Sequence, residues 1–150
     1  MAKWLVKSEP DTYGIDRLKR DKKTLWDGVR NYQSRNYLLQ MAAGDELLFY
    51  HSSAEPPGVA GIARVTKRAI PDVTQFDPKS QYYDEKATAD KPRWFCPEIA
   101  FVKKFKSLLP LAVLRSYPEL KKMELLRKGS RLSVQPVSDK EFAFILHLQE

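Results

Sequence analysis

The chain has one cysteine and two histidines in 150 residues. One cysteine excludes a disulfide within the chain. Cys96, His51 and His147 are also too few ligands, at no usable spacing, for a structural zinc site. No apolar run approaches the roughly 18 residues of a membrane span. The first apolar stretch ends at Lys7 and is too short for a signal peptide. These absences predict a reducing compartment, either the cytoplasm or, in a eukaryote, the nucleus.

The sequence also lacks the common motifs of nucleotide binding and hydrolysis. There is no Walker loop, GxGxxG or HExxH, and the Gly-Ser-Arg at 129–131 is not a nucleophile elbow. His51 is next to Ser52, but neighbours on a strand point to opposite faces, which places them badly as a catalytic pair. Lys7 and Glu9 share one face of the first predicted strand, where a solvated surface pair is the commoner outcome. We therefore predict no catalytic residue, no metal and no cofactor.

Positive charge is what the chain has in excess. The formal net charge is +7, and the last fifty residues carry ten basic and five acidic groups. A polyanion is the natural partner of such a surface, although many basic proteins bind no nucleic acid. The length suits a single domain, residues 1–150, with a core of its own, and we find no internal repeat or flexible linker.

Hydrophobic periodicity predicts an α+β fold with about five to six strands in irregular order with four helices. A small, barrel-like mixed sheet, closed or partly closed and flanked by helices, would protect its edges. The predicted strands are residues 4–8, 47–50, 59–69, 94–105 and 131–137. In the fourth strand we expect Phe95, Ile99, Phe101 and Phe105 to share one face, and in the fifth we expect polar and apolar residues to alternate between faces.

Local signals mark the ends of several elements. Asn31 is a good N-cap for a helix over 32–41, and Gly44 suits the position just after its end. Ser138 and Glu141 form a capping box that begins a terminal helix. Gly58 and Gly61 permit a bulge in the third strand. Residues 71–93 have little periodicity, and a loop of that length is usually functional or disordered.

The segment 25–36 is the strongest candidate for a binding site, because it is rich in groups that recognise ligands. Trp26 lies next to Gly28, which gives the backbone room for a tight bend. A flat ring beside such a bend, with amide and hydroxyl groups nearby, suits a flat polar ligand. Trp94 is a second aromatic at an element boundary. The simpler alternative for both tryptophans is that they are buried core residues.

Short hydrogen-bonding side chains and cations complete the predicted site. Ser8, Asn31, His51 and Ser52 lie at strand or helix ends, where the rims of pockets form. The cations predicted to contact a phosphate backbone are Lys7, Arg30, Arg35, Arg93, Arg127, Lys128 and Arg131. Their alternative is an ordinary solvated surface.

Seven short motifs, in order along essentially the whole chain, resemble the EVE domain family. They are Lys7-Ser8-Glu9-Pro10-Asp11, Trp26-Asp27-Gly28-Val29-Arg30-Asn31-Tyr32, Phe49-Tyr50-His51-Ser52, Asp77-Pro78-Lys79-Ser80, Tyr82-Tyr83-Asp84, Pro92-Arg93-Trp94 and the segment 129–137. Any one of them would be weak, whereas the ordered set is specific. The resemblance implies a PUA-like fold related to the YTH readers of N6-methyladenine.

The resemblance also implies a function and a site. The protein would be a monomer that binds DNA or RNA and takes a modified base, such as 5-methyl- or 5-hydroxymethylcytosine, into an aromatic pocket. Trp26 would form one wall, Trp94 would adjoin a second, and Ser8, Asn31, Tyr32, His51 and Ser52 would line the pocket. A methyl group adds only about 0.8 kcal/mol of burial, so we expect modest selectivity. We further expect Trp26→Ala to remove this selectivity with little loss of stability.

Two alternatives remain open at this stage. The related ASCH fold includes small amidohydrolases and ribonucleases, for which Lys7 and Glu9 would be the candidate groups. A plain RNA-binding module without base selectivity would show steep salt dependence and equal affinity for modified and unmodified strands.

Overall fold

Six strands form one mixed sheet in the computed structural model, which describes residues 1–149. The strands are β1 (Lys3–Ser8), β2 (Lys23–Leu25), β3 (Glu46–His51), β4 (Gly58–Pro71), β5 (Phe95–Pro110) and β6 (Val134–Val137). Their order across the sheet is β2-β5-β4-β3-β1-β6. β1 and β3 run parallel, and the other neighbouring strands described run antiparallel.

Five helices flank the sheet in the described part of the chain. They are α1 (Pro10–Tyr13), α2 (Ile15–Asp21), α3 (Tyr32–Gln40), α4 (Leu111–Leu114) and α5 (Asp139–Leu148). Single 3₁₀ turns cover Val73–Phe76, Pro118–Leu120 and Glu124–Leu126. None of the helices within 1–149 is long and apolar enough to cross a membrane.

The α+β class and the flanking helices are confirmed. The sheet is open rather than closed, because β2 and β6 lie at its two edges and each pairs with one neighbour. Alternate residues of β1 enter two separate cores: Trp4 and Val6 pack in one, and Leu5 packs in the other. Both faces of the sheet are therefore buried around its central strands.

Bulges change which face of the long β4–β5 pair each residue occupies. The register shifts between Val59 and Gly61, as the glycines of this strand suggested. A Cβ on Gly61 would lie 2.3 Å from the carbonyl oxygen of Lys103, so the two backbones need this glycine to approach so closely. Farther along β5, Phe105 packs in a different core from Ile99. The prediction of one shared face, from Phe95 to Phe105, was wrong because a shift in register reverses the face.

The local caps form as predicted at two helices. The Asn31 side chain accepts a hydrogen bond from the Ser34 amide at 2.9 Å, and Ser138 and Glu141 make the reciprocal capping box at α5. The prediction that Gly44 lies just after the end of the helix was wrong. Helix α3 ends at Gln40, and Gly44 lies in the following turn, where its amide donates to the Val65 carbonyl at 2.7 Å.

The last predicted strand is shorter than expected, since only Val134–Val137 pair with β1. The predicted alternation also fails at Gln135, which is fully buried. Its amide donates to the Leu132 carbonyl at 2.8 Å, which satisfies one of its polar atoms inside the protein.

Candidate functional site

A cavity of about 980 Å³ opens where the ends of β1 and β3 meet. Because these two strands are parallel, Ser8 and His51 are register partners at their carboxyl ends, and the Ser52 amide donates to the Ser8 carbonyl at 2.9 Å. The rest of the wall comes from α1, the start of α2, the segment 24–31, the loop at 81–82 and residues 131 and 133. The volume is ample for a pyrimidine.

The structure gathers about half of the predicted site around this cavity. The predicted residues in its wall are Ser8, Trp26, Asn31 and Ser52 with the cations Lys7, Arg30 and Arg131. The predicted residues that lie outside the wall are Tyr32, His51, Trp94, Arg35, Arg93, Arg127 and Lys128. The binding roles of both sets stay predictions.

Trp26 belongs to the core and to the cavity wall at once. Its residue is only 8% exposed. Its indole meets Tyr13 edge-on at 6.2 Å and Phe49 at 5.4 Å between ring centroids. The backbone of Trp26 is also fixed, because its amide donates to the Pro97 carbonyl at 2.9 Å. A ring held so firmly presents a preorganised surface to the cavity. It also makes the expected small effect of Trp26→Ala on stability untenable.

Arg30 is engaged inside the protein. Its guanidinium donates five hydrogen bonds, to the Tyr82 carbonyl through two nitrogens, to the Val29 carbonyl, to Asp72 at 3.1 Å and to Thr74 at 2.9 Å. It also lies over the rings of Tyr82 and Trp94, at 5.4 and 5.2 Å from their centroids. These contacts hold the loop around Tyr82 against the cavity wall.

Asp72 is the buried anion of this network. Burial opposes its ionisation, but hydrogen bonds from the Thr74 side chain and from the Gly28 and Thr74 amides outweigh burial. With the bond from Arg30, they hold the pKa of Asp72 below its ordinary value. Gln75, also buried, accepts from the amides of Arg93 and Trp94. The long segment between β4 and β5 is thus tied down at both ends.

Gly28 makes the close contact with this segment possible. Its φ is +82°, and a Cβ there would lie 2.8 Å from the ring of Tyr82. We expect Gly28→Ala to lower the free energy of unfolding by about 1–2 kcal/mol more than Gly129→Ala. Gly129 is a matched control, because its φ is +79° and nothing lies within 4 Å of a Cβ built there. Urea unfolding of both variants measures the difference. Equal losses of unfolding free energy would show that the Tyr82 ring moves aside at little cost.

A second aromatic cluster lies beside the cavity. The rings of Tyr32 and Trp94 stack at 4.8 Å, and the Trp94 indole donates to Asp84 at 2.8 Å. Trp94 is 5% exposed, whereas Tyr32 is 50% exposed. Arg35 lies over the Tyr32 ring at 4.8 Å, and Arg93 donates to its hydroxyl at 3.3 Å. The two tryptophans therefore belong to different clusters, and the structure does not bring them together as facing walls.

His51 has a structural contact. Its Nε2 accepts a hydrogen bond from the Ile15 amide at 3.1 Å, and burial lowers the pKa of its imidazole. Both observations describe a neutral ring that holds the start of α2 against β3. Within the described residues, no group of histidine, cysteine and acidic side chains is arranged to hold a metal ion.

The cations differ in their distance from the cavity. Lys7 lines it, and burial lowers the pKa of its ammonium group, while the charge of Glu124 opposes that shift. Arg131 lines it as well. Arg127 and Lys128 are exposed beyond the wall, and Arg127 pairs with Glu124 at 3.4 Å.

Among the wall residues to which sequence reasoning assigned no role are Tyr13, Asp27 and Tyr82. The last two lie within the motifs of the family resemblance, which was the available signal. What could not be read from the sequence is that Tyr82 returns to cover Gly28, because that contact depends on the folded loop.

Comparison with known proteins shows which family this chain resembles. The EVE domain family model matches residues 2–148. Human thymocyte nuclear protein 1 is 42% identical over 166 aligned positions, which cover 98% of this chain and 73% of that protein. A crystal structure of a Pseudomonas syringae protein is 51% identical with a TM-score of 0.97, and it covers 99% of this chain and 100% of its own.

One similar structure contains a ligand. It shows human thymocyte nuclear protein 1 in complex with DNA containing 5-methylcytosine. It is 40% identical to this chain, with a TM-score of 0.95, and covers 100% of this chain and 98% of its own. An ASCH protein of Zymomonas mobilis has a TM-score of 0.57 at 8% identity, which shows similarity of fold alone. By its family match, its relatives and its structure, the chain belongs to the EVE domain family.

Proposed function

We propose that this protein is a non-enzymatic reader of a modified cytosine in nucleic acid. The observation that carries the proposal is the cavity of about 980 Å³ with the Trp26 indole in its wall and Lys7, Arg17 and Arg131 around it. A buried ring offers a flat apolar surface to a base, and the cations suit the phosphates beside it. The human relative's complex with 5-methylcytosine DNA supports this choice of ligand.

Base extrusion explains why such a cavity needs several kinds of contact. Taking a base out of a duplex costs a few kcal/mol, which stacking and hydrogen bonds must offset. Stacking on an aromatic ring is worth about 1–3 kcal/mol per base. Trp26 supplies the ring, while Ser8, Asn31 and Ser52 supply short polar groups. The cytoplasm or nucleus remains the predicted location, and a monomer remains the predicted state.

Binding of matched oligonucleotides tests the proposal. We expect a duplex with one 5-methylcytosine to bind roughly fourfold more tightly than its unmodified equivalent, the equivalent of about 0.8 kcal/mol for one buried methyl group. Fluorescence anisotropy at fixed salt measures both affinities, with an RNA of the same sequence as a third arm. Equal affinity for modified and unmodified strands would instead indicate a non-selective nucleic-acid-binding module.

The phosphate-binding role of Arg131 gives a separate prediction. We expect Arg131→Ala to weaken the binding of modified and unmodified strands alike. It should also reduce the slope of log affinity against log salt concentration by about one. Lys140→Ala is the control, because Lys140 is exposed on α5 outside the cavity wall. An unchanged slope in Arg131→Ala would remove this residue from the interface.

The hydrolase alternative rests on one specific observation. Lys7 and Glu9 both line the cavity, and burial lowers the pKa of Lys7, while the charge of Glu124 opposes the shift. Incubation with N4-acetylcytidine and with RNA, followed by chromatography for products, tests it. Turnover that is lost in Lys7→Met would overturn the reader proposal.

A further inference from the structure

Asp27 is a carboxylate presented to the cavity by a fixed backbone. It lies between Trp26, whose ring is in the cavity wall, and Gly28, whose amide donates to Asp72 at 2.9 Å. The amide of Asp27 itself donates to the Leu25 carbonyl at 3.0 Å. The carboxylates of Asp72 and Asp84 accept side-chain hydrogen bonds, whereas no side chain within residues 1–149 donates one to Asp27. Apart from the hydrogen bond from its own amide, the Asp27 carboxylate is therefore open to a ligand.

The surroundings of Asp27 raise the pKa of its carboxyl above the ordinary value. The residue is exposed to solvent, but partial desolvation of its carboxyl and the negative charge of Asp72 raise the pKa, while its own backbone amide and the charge of Arg30 oppose the shift. The other charged or titratable residues that face the cavity are Lys7, Glu9, Tyr13, Arg17, Tyr82 and Arg131. The carboxyl therefore holds a proton more readily than an ordinary aspartate.

Cytosine offers a complementary edge. Its Watson–Crick side has an acceptor, N3, next to a donor, the N4 amino group, and an extruded base is read along that side. A carboxyl group that carries one proton has the matching pair, an O–H donor and a carbonyl acceptor. We propose that Asp27 binds the N3 and N4 edge of the cytosine that lies against Trp26. This inference rests on the proposed function and assigns the recognition of the base, as distinct from its methyl group, to one residue.

The proton balance follows from this pairing. Where Asp27 is ionised in the free protein, binding takes up one proton from solvent. In the complex this proton lies between a carboxylate oxygen of Asp27 and N3 of the cytosine. N4 donates to the other oxygen, and no covalent bond is made or broken. Thymine places an N–H at position 3 and an oxygen at position 4, neither of them basic. Its complex holds the proton less strongly and leaves an ionised Asp27 facing the oxygen at position 4.

The test compares 5-methylcytosine with thymine at one position in otherwise identical duplexes. The two bases share the 5-methyl group and differ only along the edge assigned to Asp27. We expect the native protein to prefer 5-methylcytosine by roughly tenfold to a hundredfold. We expect its affinity to fall as pH rises above the pKa of Asp27 in the free protein, by up to about tenfold per unit where one proton is taken up.

Asp27→Asn separates this role from a structural one. An amide has a donor and an acceptor at every pH and can turn to suit either base, so we expect the variant to lose both the preference over thymine and the pH dependence. Its fold should hold, since losing the charge relieves repulsion from Asp72. Asp90→Asn, an exposed loop variant outside the cavity wall, should retain both properties.

Several results would overturn the inference. One is a native preference over thymine that survives in Asp27→Asn. Another is pH dependence that disappears in Glu9→Gln instead, because Glu9 is the other carboxylate in the wall. Failure of the proposed function is distinguishable from both, because the native protein would then bind modified and unmodified duplexes equally at every pH.

Discussion

Trp26→Ala is expected to lower the free energy of unfolding by about 3–5 kcal/mol. The residue is only 8% exposed, and its indole makes edge-on contacts with Tyr13 and Phe49. Its removal leaves a void beside a cavity that already exists, and the neighbouring side chains have little means of filling it. Urea unfolding followed by circular dichroism measures the loss. A change below about 1 kcal/mol would show that the ring contributes little packing.

Trp26→Phe is the variant for binding, because it keeps a ring in the core. We expect a smaller loss of stability than in Trp26→Ala, with weaker binding of all bases from the reduced stacking surface. Affinity should be expressed per folded molecule at a temperature where both proteins are native. Unchanged affinity in a folded Trp26→Phe protein would assign the indole to the core alone.

Arg30→Ala is expected to lower the free energy of unfolding by a similar amount, about 3–5 kcal/mol. The Asp72 side chain has no exposed surface, and Arg30 is its ion-pair partner at 3.1 Å. Removing the guanidinium leaves a buried charge without a counterion. The Tyr82 carbonyl and the Thr74 hydroxyl also lose the hydrogen bonds that Arg30 donates to them. Thermal and urea unfolding measure the loss.

Two controls make this prediction specific. Arg17→Ala removes an exposed arginine whose partner Asp21 lies 3.8 Å away, and such surface pairs are worth about 0–1 kcal/mol. The double variant Arg30→Ala/Asp72→Asn removes the buried charge as well and should recover part of the loss. If Arg30→Ala loses no more than Arg17→Ala, the buried pair is not a major source of stability.

The same pair gives the fold a pH dependence of known sign. The folded pKa of Asp72 lies below its ordinary value, so the unfolded chain binds the proton more readily. The stability that comes from ionised Asp72 is present above the ordinary carboxyl pKa and is lost as pH falls through the folded pKa. We expect Arg30→Ala to have a shallower acid transition than the native protein.

Elements with local causes were predictable from the sequence. The cap at Asn31 and the box between Ser138 and Glu141 depend on side chains within three residues of the backbone groups they satisfy. Gln135 was mispredicted because both faces of β6 are covered, with Val134 in one core and Val137 in the other. Phe105 was mispredicted for a different reason. The face that a strand residue occupies depends on its register with a partner distant in sequence, and the shifts in β4 and β5 leave no sign in residue periodicity.

The candidate site also has features that the sequence predicts and features that it does not. Trp26 and the small polar residues could be selected because indoles, amides and hydroxyls beside a glycine bend suit a flat ligand. The hydrogen bonds of Arg30 inside the protein could not be predicted, because its partners Asp72 and Tyr82 are 42 and 52 positions away in the sequence. A guanidinium looks the same in a sequence whether it faces solvent or a buried carboxylate.

The position of β1 in the sheet has a consequence for synthesis. β1 is synthesised well before β6, yet one of its edges pairs with Val134–Val137, more than a hundred residues later in the sequence. Until those residues emerge, that edge has no partner, and a free strand edge invites pairing with other chains. The sheet therefore cannot be completed until the segment that follows β5 has been made, and this edge of β1 is exposed during that interval.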